Sequence, residues 1–187
     1  MTDFNFKVSK NEKNKSFGFT PLDEGTYECL IDSPSEEATK GGTEYFQIPL
    51  TVRNDLDGVE ALKETNAKFH NRKTFDFKIW KRKGTGKYDP QNFSDVLTAV
   101  GVPEGTEITS QEQLINFLTG KPIKVFIKKT TDAYKGEERE VNQIAPWNLE
   151  KTNYPNVQHV SKNKKENSAD PFAGNKEIEI DNDELPF

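Results

Sequence analysis

The chain has one cysteine, Cys29, and two histidines, His70 and His159, among its 187 residues. A single thiol excludes an intramolecular disulfide, and its place in an apolar strand pattern predicts a buried, inert group. One Cys and two His cannot build a dense Cys/His zinc site. The longest apolar runs are a few residues, far below the ~20 that a membrane-spanning helix needs. The amino terminus has no basic segment followed by an apolar run, so no secretory signal is expected. These shortages point to a soluble protein of a reducing compartment.

Apolar residues are scarce too, at 32% against 30% charged, with a mean hydropathy of −0.87. Such averages suggest partial disorder, but they mix unlike regions. Residues 177–187 hold five acidic residues (Glu177, Glu179, Asp181, Asp183, Glu184) and no basic one. With those five removed from the 31 Asp and Glu, 26 remain to balance 26 Lys and Arg. The body is therefore neutral, and the tip carries the whole formal charge of −5.

The patterning predicts an arm over 1–20 that packs a few aromatics (Phe4, Phe6, Phe17, Phe19) on the domain edge. A domain over 21–150 and a disordered tail over 151–187 follow. Strands are expected at 26–32, 44–53, about 69–80, 122–130 and 138–147, separated by Gly-containing turns. In 44–53, Phe46, Ile48, Leu50 and Val52 share one face. Pro49 marks an edge strand or a bulge. In the third strand Phe75, Phe77 and Ile79 share the core face. Helices are expected at 91–100, with Gly101 as C-cap, and after Ser110, whose hydroxyl with Gln113 makes a capping box. The simplest assembly is mainly β: an OB-type five-stranded antiparallel Greek-key barrel with helical insertions between strands three and four. A β-sandwich is the alternative.

Catalysis has little to work with. A nucleophile needs a base held beside it, usually His. His70 falls in the third strand and His159 in the tail. Gly84-Thr85-Gly86-Lys87 lacks the spacing of a phosphate-binding loop. The outward strand faces are more informative, because aromatic and basic residues recur there on one parity. The second strand offers Tyr45, Gln47 and Arg53. The third and its exit offer Lys78, Trp80, Lys81, Arg82 and Lys83, and the fourth Lys124, Phe126 and Lys128. Tyr134 adds a ring in a loop. Cations for phosphates and rings for bases are what single-stranded nucleic acid requires. Each residue also has a plainer reading. Trp80 could cap the core, Phe126 could lie under a helix, and the Lys81–Lys83 run could be a solvated loop.

The acidic tip ends in Leu185-Pro186-Phe187. Phe187 can fill an apolar pocket while its carboxylate pairs with Arg or Lys. Pro186 limits the entropy lost on docking, and Asp181, Asp183 and Glu184 steer toward a basic partner surface.

Three stretches carry a family resemblance: Pro21-Leu22-Asp23-Glu24-Gly25-Thr26-Tyr27-Glu28, Lys40-Gly41-Gly42-Thr43-Glu44-Tyr45, and Leu50-Thr51-Val52-Arg53-Asn54-Asp55. Over roughly residues 17–150 the chain resembles a family of bacteriophage proteins, long catalogued as a domain of unknown function and now regarded as phage single-stranded DNA-binding proteins with an OB fold. Residues 181–187 are similar to the Asp-Asp-Asp-Ile-Pro-Phe type of tip on bacterial single-stranded DNA-binding proteins, with Asn182 and Glu184 interrupting the aspartates and Leu185 in place of Ile. The resemblance implies sequence-independent coating of single strands during phage replication, recombination or repair, in the host bacterial cytoplasm. It also implies recruitment of host or phage enzymes through the tip, and no metal or organic cofactor. Competing readings are a protein-interaction adaptor or virion component, and a small nuclease. Oligomeric state is left open.

Overall fold

The structure, a computed structural model, describes residues 20–134 and 136–161. In chain order it contains β1 (Gly25–Ile31), β2 (Ser35–Ala38), β3 (Glu44–Gln47), β4 (Leu50–Val52), β5 (Lys73–Thr74) and β6 (Lys78–Trp80). Then come α1 (Pro90–Ala99), α2 (Gln111–Leu118), β7 (Pro122–Tyr134), β8 (Glu137–Gln143) and β9 (Leu149–Glu150). A larger sheet runs β5-β4-β1-β7-β8 with β9 added to β7, and curls as a half-barrel. A smaller one runs β2-β3-β6. Every pairing is antiparallel. No helix among the described residues is long and apolar enough to cross a membrane.

Alternation builds the core. Tyr27, Cys29 and Ile31 of β1 and Ile123, Val125 and Ile127 of β7 are buried on one side of the curled sheet. Phe46 and Ile79 close it from the small sheet, and Val96 and Leu118 from the helices. Full burial of each large side chain contributes about 1.5–3 kcal/mol. Both helix starts are capped. Asp89 accepts from Gln91 N before Pro90, and Ser110 Oγ accepts from Gln113 N at 3.1 Å. Gly101 supplies the positive φ that ends α1.

Two expected strands are each split between the sheets. The second breaks at Ile48-Pro49, because Pro49 has no N–H for the ladder. β3 stays in the small sheet while β4 joins β1. The third breaks at Phe75-Phe77. There Thr74 Oγ1 donates to Asp76 Oδ2 and accepts from Asp76 N, turning the chain. β5 therefore pairs β4 while β6 pairs β3. The turn also overrides the alternation, so Phe75, expected in the core, is 48% exposed. Residues 69–72 are helical turn and coil rather than strand.

The disorder expected from residue 151 does not hold over 151–161, which lie against β1 and the end of β4. Glu28, 1% exposed, accepts from Thr152 Oγ1 and from Asn153 N. Arg53 donates to the carbonyls of Tyr154 and Asn156. Asn54 N donates to His159 Nδ1, and Asn54 Nδ2 to the carbonyl of Val160. This polar stretch is ordered by buried partners rather than by apolar content of its own. The arm over 1–19, the tail beyond 161 and its tip residues Asp181, Asp183, Glu184, Leu185, Pro186 and Phe187 lie outside the described residues.

Candidate functional site

The outward face of the small sheet brings four of the expected residues together. The β3–β6 register sets Tyr45 opposite Trp80 and Gln47 opposite Lys78. The Tyr45 and Trp80 rings are 4.7 Å apart at 41°, and Lys78 Nζ lies 5.3 Å from the Tyr45 centroid. Gln47 Nε2 donates to Phe75 O at 3.0 Å, fixing the link in which Phe75 is turned out.

Two adjoining hollows extend this face. The first, about 700 Å³, is lined by Arg72, Lys73, Phe75, Asp76 and Arg139 together with Thr20, Pro21 and Leu22. The second, about 500 Å³, is lined by Lys78, Trp80, Arg139, Gln143, Pro146 and Trp147 among others. They share Asp76, Arg139, Val141 and Asn142 and so form one groove between β6 and β8. Four large aromatics are exposed among the described residues: Phe75, Trp80, Phe126 and Trp147. Three of them line this groove, including both tryptophans of the chain.

The groove is mixed in charge but holds more cations than anions. Arg72, Lys73, Lys78 and Arg139 face Asp76, Asp132 and Glu140. Several of these charges are already engaged. Lys73 pairs with Asp32 at 3.0 Å, Arg139 with Asp132 at 3.6 Å and Glu140 with Lys129 at 2.9 Å. Such exposed pairs contribute little to stability. Rings lining a groove with a small excess of cations can stack on planar groups while the cations take phosphates.

The remaining expected residues fall elsewhere. Arg53, read as an outward cation, is fully buried and paired with Asp55 at 2.6 Å. The inward parity of Phe46, Ile48, Leu50 and Val52 holds across Pro49, but the 151–161 segment covers the opposite face at Arg53, which holds the carbonyls of Tyr154 and Asn156. Lys81 lies between Glu36 at 2.7 Å and Glu44 at 2.6 Å, and its hydrogen bonds to those carboxylates raise its pKa. Arg82 pairs with Asp89, and Lys83 is exposed in the loop beyond. Lys124 pairs with Glu150, Phe126 stands opposite Thr26, and neither lines the groove. Lys128 is exposed opposite Gln143. The Tyr134 side chain lies outside the described part.

Arg72, Lys73, Phe75 and Arg139 were not legible as site residues. Phe75 was masked by the alternation it breaks. Arg139 sits in an acidic stretch, Glu137-Glu138-Arg139-Glu140, that reads as a solvated edge. Trp147, at the end of the expected 138–147 strand, was legible as an indole able to stack but not as a neighbour of Trp80. Among the described residues no group of three or more His, Cys, Asp or Glu is placed to hold a metal ion.

Residues 5–171 match the family model described as Protein of unknown function (DUF669), and the chain belongs to that family. No curated protein matches it.

Proposed function

We propose that this member of the DUF669 family is a non-catalytic, sequence-independent single-stranded DNA-binding protein of phage replication, recombination or repair. The observation that carries the reading is the grouping of Phe75, Trp80 and Trp147 in one groove with Arg72, Lys73, Lys78 and Arg139. A solvated surface gains nothing from exposing three large rings beside one another. A single strand uses them all, at about 1–3 kcal/mol per stacked base. We read the curled sheet, the small sheet and the helices ahead of β7 as an OB-type barrel. The groove between β6 and β8 is the path of the strand, and the Lys124–Phe126–Lys128 face lies outside it.

The test is a titration with oligo-dT, oligo-dA and duplex DNA at two salt concentrations. Single strands should bind well and duplex weakly, with affinity falling as salt rises by a slope of about 0.7 per phosphate contact. Equal binding of duplex would sink the reading, and no binding of any DNA would favour an adaptor whose groove takes protein.

The tip completes the proposal as a recruiting segment for host or phage enzymes in the bacterial cytoplasm. Removing residues 177–187 should leave the fold intact and DNA affinity equal or higher, most visibly at low salt. That deletion, or Phe187→Ala alone, should abolish capture of replication or recombination enzymes from host extract. Unfolding or loss of DNA binding on truncation would make the tip a structural part of the body.

A further inference from the structure

Residues 151–161 run as a strap against β1 and the end of β4. Side chains tie the last residues of this strap to β5, which walls the first hollow. One joint is made of amides. Asn54 Nδ2 donates to Asn71 Oδ1 at 2.9 Å, and Asn71 turns the chain toward β5 with a positive φ of 62°. The same Asn54 side chain grips Val160 at both backbone groups, donating to its O at 2.9 Å and accepting from its N at 3.1 Å. Asn54 N also donates to His159 Nδ1 at 3.1 Å. The other joint is made of charges. Lys73 lines the hollow and pairs with Asp32 Oδ2 at 3.0 Å. That oxygen also accepts from Thr51 Oγ1 at 2.7 Å. Both charges act on His159. Burial lowers its pKa, Asp55 works against this and Arg53 with it, then Asp32 against and Lys73 with it.

We infer that the groove and the strap are linked through β5: a polyanion held at Lys73 loosens residues 157–160, and their release in turn tightens the hold on the polyanion. A phosphate at Lys73 competes with Asp32 for an exposed ammonium, and such a pair resists weakly. The His159 ring then meets more negative charge than before, which favours its protonated form. A protonated ring carries hydrogen on both nitrogens, so Nδ1 can no longer accept from Asn54 N. The front of the strap stays in place because its partners are buried. Glu28 holds Thr152 and Asn153 N, and Arg53 holds the carbonyls of Tyr154 and Asn156. The reverse effect is required by linkage, since two sites that share one equilibrium alter each other equally. The joints stand on the geometry alone, and the choice of polyanion rests on the proposed DNA binding.

The experiment follows the histidine ring signals of the full chain by NMR across pH. His159→Gln assigns them, because His70 is the only other histidine. Lys73→Gln, with no DNA present, should raise the pH at which His159 titrates. Saturating oligo-dT should raise it in the wild-type chain, and raise it less in Lys73→Gln. Near that midpoint oligo-dT should also speed hydrogen exchange at the Asn54 and Val160 amides and leave Asn153 unchanged. An unmoved His159 midpoint in Lys73→Gln overturns the inference, whatever DNA does. A wild-type chain that binds oligo-dT with neither the midpoint nor the exchange altered overturns the link to the groove. If the midpoint moves in Lys73→Gln but the wild-type chain binds no oligo-dT, the joint holds and the proposed function falls.

Discussion

Trp80 stands directly opposite Tyr45 across β3 and β6, with ring centroids 4.7 Å apart. Tyr45 thus braces one side of the indole, while the other side, in a residue 45% exposed, borders the groove. A ring held in place loses little freedom when a base stacks on it.

Trp80→Ala should therefore lower oligo-dT affinity by about 5- to 150-fold, the equivalent of one stacked base at 1–3 kcal/mol. The melting temperature should hardly move, since the ring is not part of the core. Should the substitution instead cost roughly 3–5 kcal/mol of stability, the indole is a core residue and the stacking role is lost.

Position separates the remaining aromatics. Trp147, 76% exposed and on the groove, should behave like Trp80 when changed to Ala. Phe126→Ala should leave oligo-dT affinity unchanged, because Phe126 lies off the groove on the β1–β7 ladder. The reverse ranking in a binding titration would move the strand's path to β7.

Arg53 binds Asp55 through Nε at 3.0 Å and Nη2 at 2.6 Å, and also holds two carbonyls of the 151–161 segment. Arg53→Ala should cost about 3–5 kcal/mol, because it leaves Asp55 and those carbonyls without their buried cation. Denaturant unfolding measures the loss. A loss under about 1 kcal/mol would mean the pair is solvated as a surface bridge is.

The same segment makes stability depend on pH. Burial lowers the pKa of His159, nearby Asp55 acts against that, and Arg53 adds to it, with Asp32 and Lys73 as smaller influences. Asn54 N–H donates to His159 Nδ1, which suits the neutral ring. An unfolded histidine titrates near 6.5. Between that value and the lower folded one, the unfolded chain holds the extra proton. His159 thus contributes fully above about pH 6.5, and its contribution is lost as pH falls through the folded value. Burial pushes Asp55 up, but its bonds from Arg53 and Gln158 N keep it below its usual range, so it stays charged across this window. His159→Gln should flatten the stability change between about pH 7.5 and about pH 5.5. An unaltered pH profile would show that another group controls it.

How much of this was legible can be argued from individual residues. Ser110, Gln113 and Gly101 marked the helix ends because capping is local chemistry. Tyr45, Gln47, Lys78 and Trp80 were found together because each lies in an unbroken stretch of its strand. Arg53 and Phe75 were misplaced for different reasons. The parity of the second strand survives Pro49, and Arg53 is buried because the 151–161 segment covers its face, whereas the Thr74–Asp76 turn breaks the alternation itself at Phe75. The order of 151–161 was invisible because its partners, Glu28 and Arg53, lie more than a hundred residues away in sequence. The groove itself is a product of the two sheets meeting, which no local pattern encodes.

Because both tryptophans of the chain line the one groove, intrinsic emission reports on it alone. The most direct measurement is tryptophan emission during titration with oligo-dT, with duplex DNA of equal phosphate content as the control. The account predicts saturable quenching by the single strand, reduced in Trp80→Ala and in Trp147→Ala, and little change with duplex. Tight binding of oligo-dT with both indoles undisturbed, or equal quenching by duplex, would contradict it.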